Sequence, residues 1–185
     1  SNGAWVCLSH SLACHSGMWD EQAAVLAQQY RVLRFDTRGH GQSAVPAGPY
    51  SFVEMADDVA GLFDALGIER AHFIGLSMGG MIGQSLGLRH PQRLLSLTLA
   101  DTSSRQPVGA EKMWGDRIAQ ARAQGMQALE ESTLARWFTE SFRAAHPEAM
   151  QRVGAMIRAT PVEGYANCGF AISRINFTDQ LKAIR

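Results

Sequence analysis

The sequence predicts an α/β fold in which a parallel sheet carries helices on both faces and is followed by a helical cap. In the first half, short runs rich in β-branched and aromatic residues alternate with helical stretches, the pattern of such a sheet. From about residue 106 the pattern changes to helices without a clear strand. With 185 residues, of which 46% are hydrophobic and 18% charged, the chain has the balance of one folded unit with a real core.

Four strands are predicted in the first half, and helices connect them. The strands are residues 5–8, 31–35, 71–76 and 94–100. The connecting helices are about residues 18–29, 51–66 and 78–89. Ser51 and Glu54 have the spacing of a capping box at the start of the second helix, and Gly67 is suited to end that helix.

The all-helical part is predicted to be an insertion that forms the cap. Its helices are about residues 111–123, 126–138, 141–145 and 148–158, with one more that begins at Pro161. Thr160 and Glu163 flank that proline with the spacing of a second capping box. We therefore divide the chain into a partial core at residues 1–105, a cap at 106–176 and the start of a return to the core at 177–185.

Charge and cysteine content restrict the partners. Lys plus Arg (17) equals Asp plus Glu (17), so no net field favours nucleic acid or an anionic membrane surface. The apolar runs are shorter than the ~18 to 20 residues that span a bilayer and no leader pattern opens the chain, so we expect a cytoplasmic protein. Cys7, Cys14 and Cys168 lack metal-ligand spacing and are expected to be reduced, with no metal or organic cofactor.

The segment GLSMGG at residues 75–80 fits G-x-S-x-G and lies between a predicted strand and a predicted helix. A turn this tight requires small residues two before and two after the serine, a requirement that Gly75 and Gly79 meet. Ser77 is therefore the candidate nucleophile. The free N–H groups of the helix start favour negative charge on an attacked carbonyl oxygen, so the backbone N–H of Met78 is the candidate oxyanion donor.

Histidines near this motif are predicted to be structural. His72 precedes Ser77 too closely in sequence to fold back on it as a base. The segment DTRGHGQS at residues 36–43 follows the second strand, and its charged side chains are expected to fix a loop near the site. A direct catalytic role for Asp36 or His40 is not favoured.

Four segments resemble 3-oxoadipate enol-lactonase and its close α/β-hydrolase relatives. They are residues 9–22, 31–50, 64–84 and 99–103, with the most similar wording in SHSLACHSGMWDEQ, RFDTRGHGQSAVPAGPY, DALGIERAHFIGLSMGGMIGQ and LADTS. The cap segments 112–118 and 136–142 are similar too. The resemblance implies an α/β-hydrolase fold with the strand order second, first, third, fourth, and Ser77 as nucleophile. It also implies Leu12 and Met78 N–H groups as the oxyanion hole, and Trp137 as a cap-side wall of the pocket.

The resemblance further implies hydrolysis of 3-oxoadipate enol-lactone in bacterial degradation of aromatic compounds, the β-ketoadipate pathway. Because that substrate carries a carboxylate, a cationic side chain is expected in the pocket, and Arg136 and Arg38 are both candidates. A carboxylesterase, a perhydrolase of the cofactor-free haloperoxidase type and a carbon–carbon bond hydrolase remain alternatives on the same fold. A binding module that kept the motif without catalysis is the non-enzyme alternative.

A serine hydrolase also needs a histidine base and a carboxylate. In the family these follow the cap, and we expect them beyond residue 185, with two family strands before residue 1; the 185 residues alone are then expected to be nearly inactive. Ser77, Asp101 and His146 are formally in triad order, but Asp101 is expected to end its strand and His90 to cap a helix. The fourth strand is expected to have an unpaired edge.

Overall fold

A computed structural model describes residues 3–184 and has a four-stranded parallel sheet at its centre. The strands are β1 (Trp5–Ser9), β2 (Arg31–Phe35), β3 (Ala71–Leu76) and β4 (Leu94–Ala100). Their order across the sheet is β2, β1, β3, β4, which confirms the predicted order. Three of the four strands have the predicted bounds, and β1 extends one residue further.

Helices connect the strands. They are α1 (Asp20–Leu26), α2 (Phe52–Ala65) and α3 (Met78–Arg89), with short 3₁₀ helices at Ser16–Trp19 and Pro91–Arg93. The first helix is shorter than predicted, because a 3₁₀ turn precedes it and the Gln28 and Gln29 N–H groups make turn hydrogen bonds to the carbonyls three residues before them. The capping box of α2 is confirmed, with Ser51 and Glu54 each accepting a hydrogen bond from the other's backbone N–H.

Both faces of the sheet are covered, as predicted. In β1, Cys7 belongs to the larger hydrophobic cluster, whereas its neighbours Val6 and Leu8 belong to a smaller cluster with Trp19 and Ala23. Because successive strand residues point to opposite faces, these two clusters lie on opposite sides of the sheet. The central strand β1 therefore has the two-sided burial that is typical of parallel strands.

The residues after β4 form the cap. Its helices are α4 (Ala110–Gln124), α5 (Gln127–Trp137), α6 (Glu140–Ala145), α7 (Pro147–Ala159) and α8 (Val162–Ser173), followed by a 3₁₀ helix at Thr178–Ala183. The chain enters and leaves the cap side by side: Arg105 and Asn176 form an antiparallel bridge, and the Phe177 N–H donates to the Ser104 carbonyl at 2.7 Å. The domain division at residues 105/106 and 176/177 stays a prediction, which this pairing supports.

The second predicted capping box is wrong. Pro161 has extended backbone and is the N-cap of α8, and no side chain caps this end. Thr160 instead ends α7, where its Oγ1 donates to the Met156 carbonyl at 3.0 Å. Glu163 points elsewhere and accepts from Arg122 of α4. The Thr160 side chain thus hydrogen bonds to the last turn of α7 and does not cap the start of α8.

No helix among residues 3–184 combines the length and apolar character needed to cross a membrane.

The β4 edge of the sheet has no pairing strand in the described chain. Within residues 3–184, β4 pairs with β3 on one side and with no strand on the other. Leu95 and Leu99 of this strand are 42% and 38% exposed. The expected unpaired edge is therefore present in this part of the chain.

Candidate active site

Ser77 lies on a strained corner between β3 and α3. Its backbone angles are φ 53° and ψ −112°, a conformation that costs an L-residue roughly 1–3 kcal/mol and that only the surrounding structure can impose. Two contacts impose it here. The Ser77 N–H donates to the Ala100 carbonyl at 2.9 Å, and Thr102 Oγ1 donates to the Ser77 carbonyl at 2.7 Å. The last residue of β4 and the loop after it therefore anchor the backbone of Ser77.

The two flanking glycines are required by close backbone approach. A Cβ on Gly75 would lie 2.2 Å from the Gly79 carbonyl oxygen, and a Cβ on Gly79 would lie 2.2 Å from the Ser9 carbonyl oxygen. Real Cβ atoms essentially never come so close, and the opposing atoms are backbone that has little freedom to move. The corner thus matches the requirement for small residues that was predicted from the motif.

Met78 begins the helix that follows the serine. It is fully buried, and its backbone N–H is among the first four of α3, for which no intrahelical carbonyl is in reach. The first turn of α3 contains no acidic residue that would compete for these donors. A negatively charged oxygen beside Ser77 would therefore lie close to these free N–H groups and to the positive end of the helix dipole.

Leu12 lies in a tight turn directly after β1. The Cys14 N–H donates to the Ser11 carbonyl at 3.2 Å, and Ala13 adopts φ 60°, which places Leu12 and Ala13 at the two central positions of a β-turn. Leu12 is buried and lines the same cavity as Ser77. The second candidate oxyanion donor therefore sits on a turn with a fixed, non-repetitive conformation.

Two fully buried histidines hold this turn against the loop after β2. The Ala13 N–H donates to His40 Nε2 at 3.2 Å, and the Thr37 N–H donates to His10 Nε2 at 2.9 Å. On the other ring nitrogens, His10 Nδ1 bonds the Ser11 carbonyl at 2.8 Å and His40 Nδ1 bonds the Arg38 carbonyl at 3.3 Å. Both rings must therefore be neutral with the proton on Nδ1, because each Nε2 accepts.

Burial keeps these rings neutral. Desolvation is the main cause that lowers the pKa of His40 from 6.5 to about 3, with the nearby His10 as a second cause. Desolvation likewise lowers the pKa of His10, although the Ser11 carbonyl and Asp36 oppose the shift. Burial alone would raise the pKa of Asp36, but hydrogen bonds from the Gln42 and Ser16 backbones hold it below its ordinary value. His40 and Asp36 thus have the structural role predicted for this loop.

A cavity of about 1040 Å³ opens above Ser77, between the sheet and the cap. The core contributes residues 11–14, Leu76, Ser77, Met81 and residues 101–103 to its lining. The cap contributes, among others, Trp114, Arg117, Arg136, Trp137 and Phe138. Cys14 is the cysteine in this lining, and burial raises the pKa of its thiol to about 12, so the thiol stays protonated.

A model of the alpha/beta hydrolase fold family matches residues 4–185. The chain belongs to this family. It is 35% identical over 176 residues to 3-oxoadipate enol-lactonase 2 of Acinetobacter baylyi, covering 95% of this chain and 65% of that protein. The chain thus spans just under two thirds of that relative.

Two solved structures of α/β-hydrolase proteins are also similar. The enol-lactonase from Burkholderia xenovorans LB400 has a TM-score of 0.95 at 39% identity, over 100% of this chain and 70% of that one. A thermophilic esterase from Thermogutta terrifontis, solved with malate bound, has a TM-score of 0.94 at 32% identity, over 99% and 68% of the two chains. The α/β-hydrolase fold implied by the resemblance is therefore confirmed.

The three predicted substrate-binding residues of this α/β-hydrolase chain do not all line the cavity. Arg136 and Trp137, at the end of α5, both line the cavity. Arg38 does not. It is held by Asp58 and Glu54 of α2, with Nε 2.6 Å from Asp58 Oδ2 and Nη2 2.8 Å from Asp58 Oδ1. The role of Arg38 as a pocket cation therefore stays a prediction, which its ion pairs with α2 do not support.

A triad of Ser77, Asp101 and His146 is not assembled. Asp101 and His146 line the cavity, and Asp101 has the unusual φ of 41°. The His146 ring, however, packs on Phe142 at 4.3 Å, and within residues 3–184 no hydrogen bond joins Asp101, His146 and Ser77. His90 ends α3 and pairs with Asp57 at 2.7 Å, outside the cavity lining. Residues 3–184 therefore contain Ser77, the candidate nucleophile, without a histidine hydrogen bonded to it.

Sequence reasoning missed Arg117 of α4. Its guanidinium donates to Tyr165 Oη at 3.1 Å and to Thr133 Oγ1 at 3.2 Å, and it lines the cavity. No motif marks it, but its position does: Trp114, Arg117 and Ala121 share one face of α4, and Ala121 is fully buried. An arginine on the inward face of a cap helix was the available signal.

Proposed function

We propose that this chain provides the nucleophile and the oxyanion hole of a serine hydrolase that acts on lactone and ester bonds. The observation that carries the proposal is the strained Ser77, which directly precedes helix α3 and lines a large cavity. Strain of this kind persists only where the surrounding structure enforces it, and it is concentrated at functional sites. The membership in the α/β-hydrolase family supports the same assignment.

In the proposed reaction, Ser77 Oγ attacks the carbonyl carbon of the substrate. The N–H groups of Leu12 and Met78 stabilise the negative charge that develops on the carbonyl oxygen, and the alcohol or enol oxygen leaves. Water then hydrolyses the acyl-enzyme and restores Ser77. One oxyanion donor is worth roughly 10²–10³ in rate, so the fixed turn at Leu12 would contribute as much as the helix start.

The serine requires a histidine to accept its proton and a carboxylate to orient that histidine. We propose that both lie outside residues 1–185, since no histidine of the described chain is hydrogen bonded to Ser77 and the enol-lactonase relative is longer than this chain. The 185 residues alone would then retain only the roughly 10³–10⁴ over water that binding and the oxyanion hole supply.

As substrate we propose 3-oxoadipate enol-lactone, in the catabolism of aromatic compounds. The similarity to enol-lactonases supports this choice, and Arg136 offers a cation for its carboxylate while Trp137 would form an apolar wall. The malate bound in the related esterase is also a carboxylate ligand. We also propose a cytoplasmic location, in keeping with three cysteines that are all free.

The similar esterase favours a second candidate, a carboxylesterase with the same nucleophile. A perhydrolase, a carbon–carbon bond hydrolase and a non-catalytic binding module are further alternatives. Initial rates of the protein as its gene encodes it, on enol-lactone and on aryl acetates, separate the first two. Faster turnover of aryl acetates would overturn the lactonase assignment.

The nucleophile is tested by labelling the same protein with a fluorophosphonate and locating the adduct by mass spectrometry. We expect the adduct on Ser77 and its loss in Ser77→Ala, with a fall in kcat of at least about 10⁴-fold. Ser103→Ala is the matched control, because Ser103 lines the same cavity without lying on the corner. An adduct on another residue, or full activity of Ser77→Ala, would refute the mechanism. Absence of any adduct and of any hydrolysis would support the binding module.

A further inference from the structure

We propose that Thr102 and His10 are positioning residues of the oxyanion hole. Each of them holds the carbonyl end of a peptide unit whose other end is a candidate oxyanion donor, the N–H of Met78 or of Leu12. The inference rests on the proposed function of Ser77, and it adds to that function two side chains that act through the backbone.

The carbonyl of one residue and the N–H of the next belong to the same planar peptide unit. In a trans peptide the C=O and N–H bonds point in opposite directions, and the partial double bond prevents them from turning independently. The Ser77 carbonyl therefore shares its unit with the Met78 N–H, and the Ser11 carbonyl shares its unit with the Leu12 N–H. A side chain that fixes either carbonyl also fixes the direction of the donor at the other end of the unit.

The Ser77 carbonyl accepts two hydrogen bonds. One is a backbone bond at the start of α3, from the Met81 N–H at 3.0 Å. The other comes from a different segment, since Thr102 Oγ1 in the loop after β4 donates at 2.7 Å. The two lone pairs of a carbonyl oxygen lie near the peptide plane, so two donors fix the rotation of that plane as well as the direction of the C=O bond.

Close packing holds the Thr102 side chain against α3. A Cβ on Gly80 of this helix would lie 2.7 Å from the Thr102 Cβ. The next residue of the loop is also attached to the helix, because Gln84 Nε2 donates to the Ser103 carbonyl at 3.1 Å and Gln84 is only 2% exposed. The lack of a side chain at Gly80 thus lets the loop after β4 reach the Ser77 carbonyl.

The Ser11 carbonyl has the same arrangement. One bond comes from the Cys14 N–H of its own turn at 3.2 Å, and the other from His10 Nδ1 at 2.8 Å. His10 Nε2 accepts from the Thr37 N–H at 2.9 Å, which leaves the ring proton on Nδ1 for this bond. Within residues 3–184 the Leu12 N–H makes no backbone hydrogen bond, so its direction is set from the carbonyl end of the unit.

These contacts act on the strength of the two donors as well as on their direction. A carbonyl that accepts a hydrogen bond polarises its amide, which makes the N–H of the same unit a better donor. Oxyanion donors work at about 2.7–3.1 Å from the charged oxygen, so a small rotation of the peptide unit weakens them. Loss of the bond from Thr102 or from His10 is therefore expected to reduce stabilisation of the oxyanion and not binding of the substrate.

The test compares 4-nitrophenyl acetate with its thiono analogue, in which sulfur replaces the carbonyl oxygen. Sulfur is larger and accepts weaker hydrogen bonds, so the ratio of kcat/KM for the acetate to that for the thiono ester measures the contribution of the oxyanion hole. In the protein as its gene encodes it, Thr102→Val should lower kcat/KM for the acetate by about 10- to 100-fold, a part of the roughly 10²–10³ that a lost donor costs, and by less than about threefold for the thiono ester. Thr102→Ser keeps the hydroxyl and should retain the wild-type ratio. Thr98→Val, the same change in β4 outside the cavity lining, is the matched control and should leave both rates unchanged.

Two replacements of His10 separate its two hydrogen bonds. The side-chain nitrogen of Asn takes the position of Nδ1, so His10→Asn keeps the donor to Ser11, whereas the longer Gln reaches the position of Nε2 and keeps only the acceptor for Thr37. His10→Gln should lower the ratio by about tenfold or more, and His10→Asn should keep it within about threefold of wild type. If His10→Gln does not fold, NMR of the histidine ring nitrogens in wild type decides for this residue. The proton is expected on Nδ1, and a proton on Nε2 would overturn the role of His10.

The two proposals fail in different ways, and each residue is judged by its own variant. In wild type that hydrolyses the acetate and carries the fluorophosphonate on Ser77, an unchanged ratio in Thr102→Val or His10→Gln would overturn the positioning role of that residue and leave the nucleophile in place. Equal losses on both esters count as such a result, because they indicate a purely structural contact. Wild type without hydrolysis or labelling would overturn the hydrolase function and the positioning roles with it.

Discussion

The two walls of the cavity are built in different ways. On the core side, Ser77 and Leu12 lie on turns whose backbone is fixed by hydrogen bonds, glycine contacts and two fully buried histidines. On the cap side, Arg136 and Trp137 project from α5, a helix in which only Leu129 and Thr133 are buried. The reacting geometry is thus held rigidly, while the groups that contact the rest of a substrate sit on a thinly packed layer that can change without disturbing the chemistry.

The largest effect is expected on the core wall, from Gly75→Ala. The new Cβ would meet Gly79 and Gly80 backbone atoms at 2.2–2.6 Å, so the corner at Ser77 must open. We expect a loss of about 3 kcal/mol or more in the free energy of unfolding, together with loss of fluorophosphonate labelling. Urea denaturation followed by circular dichroism measures the first quantity.

Two matched glycines sharpen this test. A Cβ added to Gly61 in α2 or to Gly115 in α4 would meet no neighbouring atom within 4 Å, so alanine there should stabilise each helix by up to about 1 kcal/mol. If alanine at position 61 or 115 lowered the free energy of unfolding, or if Gly75→Ala left it unchanged, the corner at Ser77 would not be the rigid element described above.

A second effect on the core wall is expected from pH, and over a single pH unit it is smaller than that of Gly75→Ala. The unfolded chain takes up protons on its histidines near pH 6.5, whereas His40 in the fold does so only near pH 3. Between these values the unfolded state binds more protons, so stability is complete above about pH 6.5 and is lost as the pH falls towards 3. Each such histidine contributes a slope of about 1.4 kcal/mol per pH unit.

Urea unfolding at several pH values between 7 and 4 measures this slope. His40→Gln should reduce it by the contribution of one proton, whatever its effect on stability at pH 7. An identical slope in His40→Gln and wild type would contradict the neutral, buried state of His40.

The smallest effect is expected in the cap, from Glu163→Gln. Glu163 joins α8 to Arg122 of α4 through two hydrogen bonds of 2.9 and 2.7 Å, but both side chains are more than half exposed. Exposed ion pairs contribute about 0–1 kcal/mol, so the melting temperature should fall by no more than a few degrees. Asp116→Asn, which removes the exposed pair with Lys112 on α4, is the control. A fall as large as that of Gly75→Ala would show that the cap is as tightly built as the core.

The sequence predicted the core wall well because backbone sterics dictate its residues. A strand that turns sharply into a helix needs glycine at positions 75 and 79, and this need is visible as a motif. The same holds for the strand bounds, which short apolar runs in the sequence delimit on both sides. Where the local signal admitted two structures, as with Thr160 beside Pro161, the sequence pattern indicated the wrong cap.

The cap wall was predicted less well, for a physical reason. Arg38 and Arg136 are equivalent as residue types, and only the fold reveals that Arg38 meets Asp58 from a distant helix whereas Arg136 faces the cavity. Arg117 carries no motif because any position on an inward helix face can supply a cation. His10 and His40 lie in recognisable segments, yet each ring accepts a hydrogen bond from a backbone N–H that lies 27 residues away in the sequence.

The antiparallel bridge between Arg105 and Asn176 has one more consequence. Since the two segments that enter and leave the helical insert are already in contact, exchanging the residues between them requires no new loop closure and hardly changes the entropy of the core. The helical insert can therefore be exchanged as one unit to make chimeric proteins. A helical insert from another member of the α/β-hydrolase family, joined at these two positions, would place different substrate-contacting side chains above Ser77.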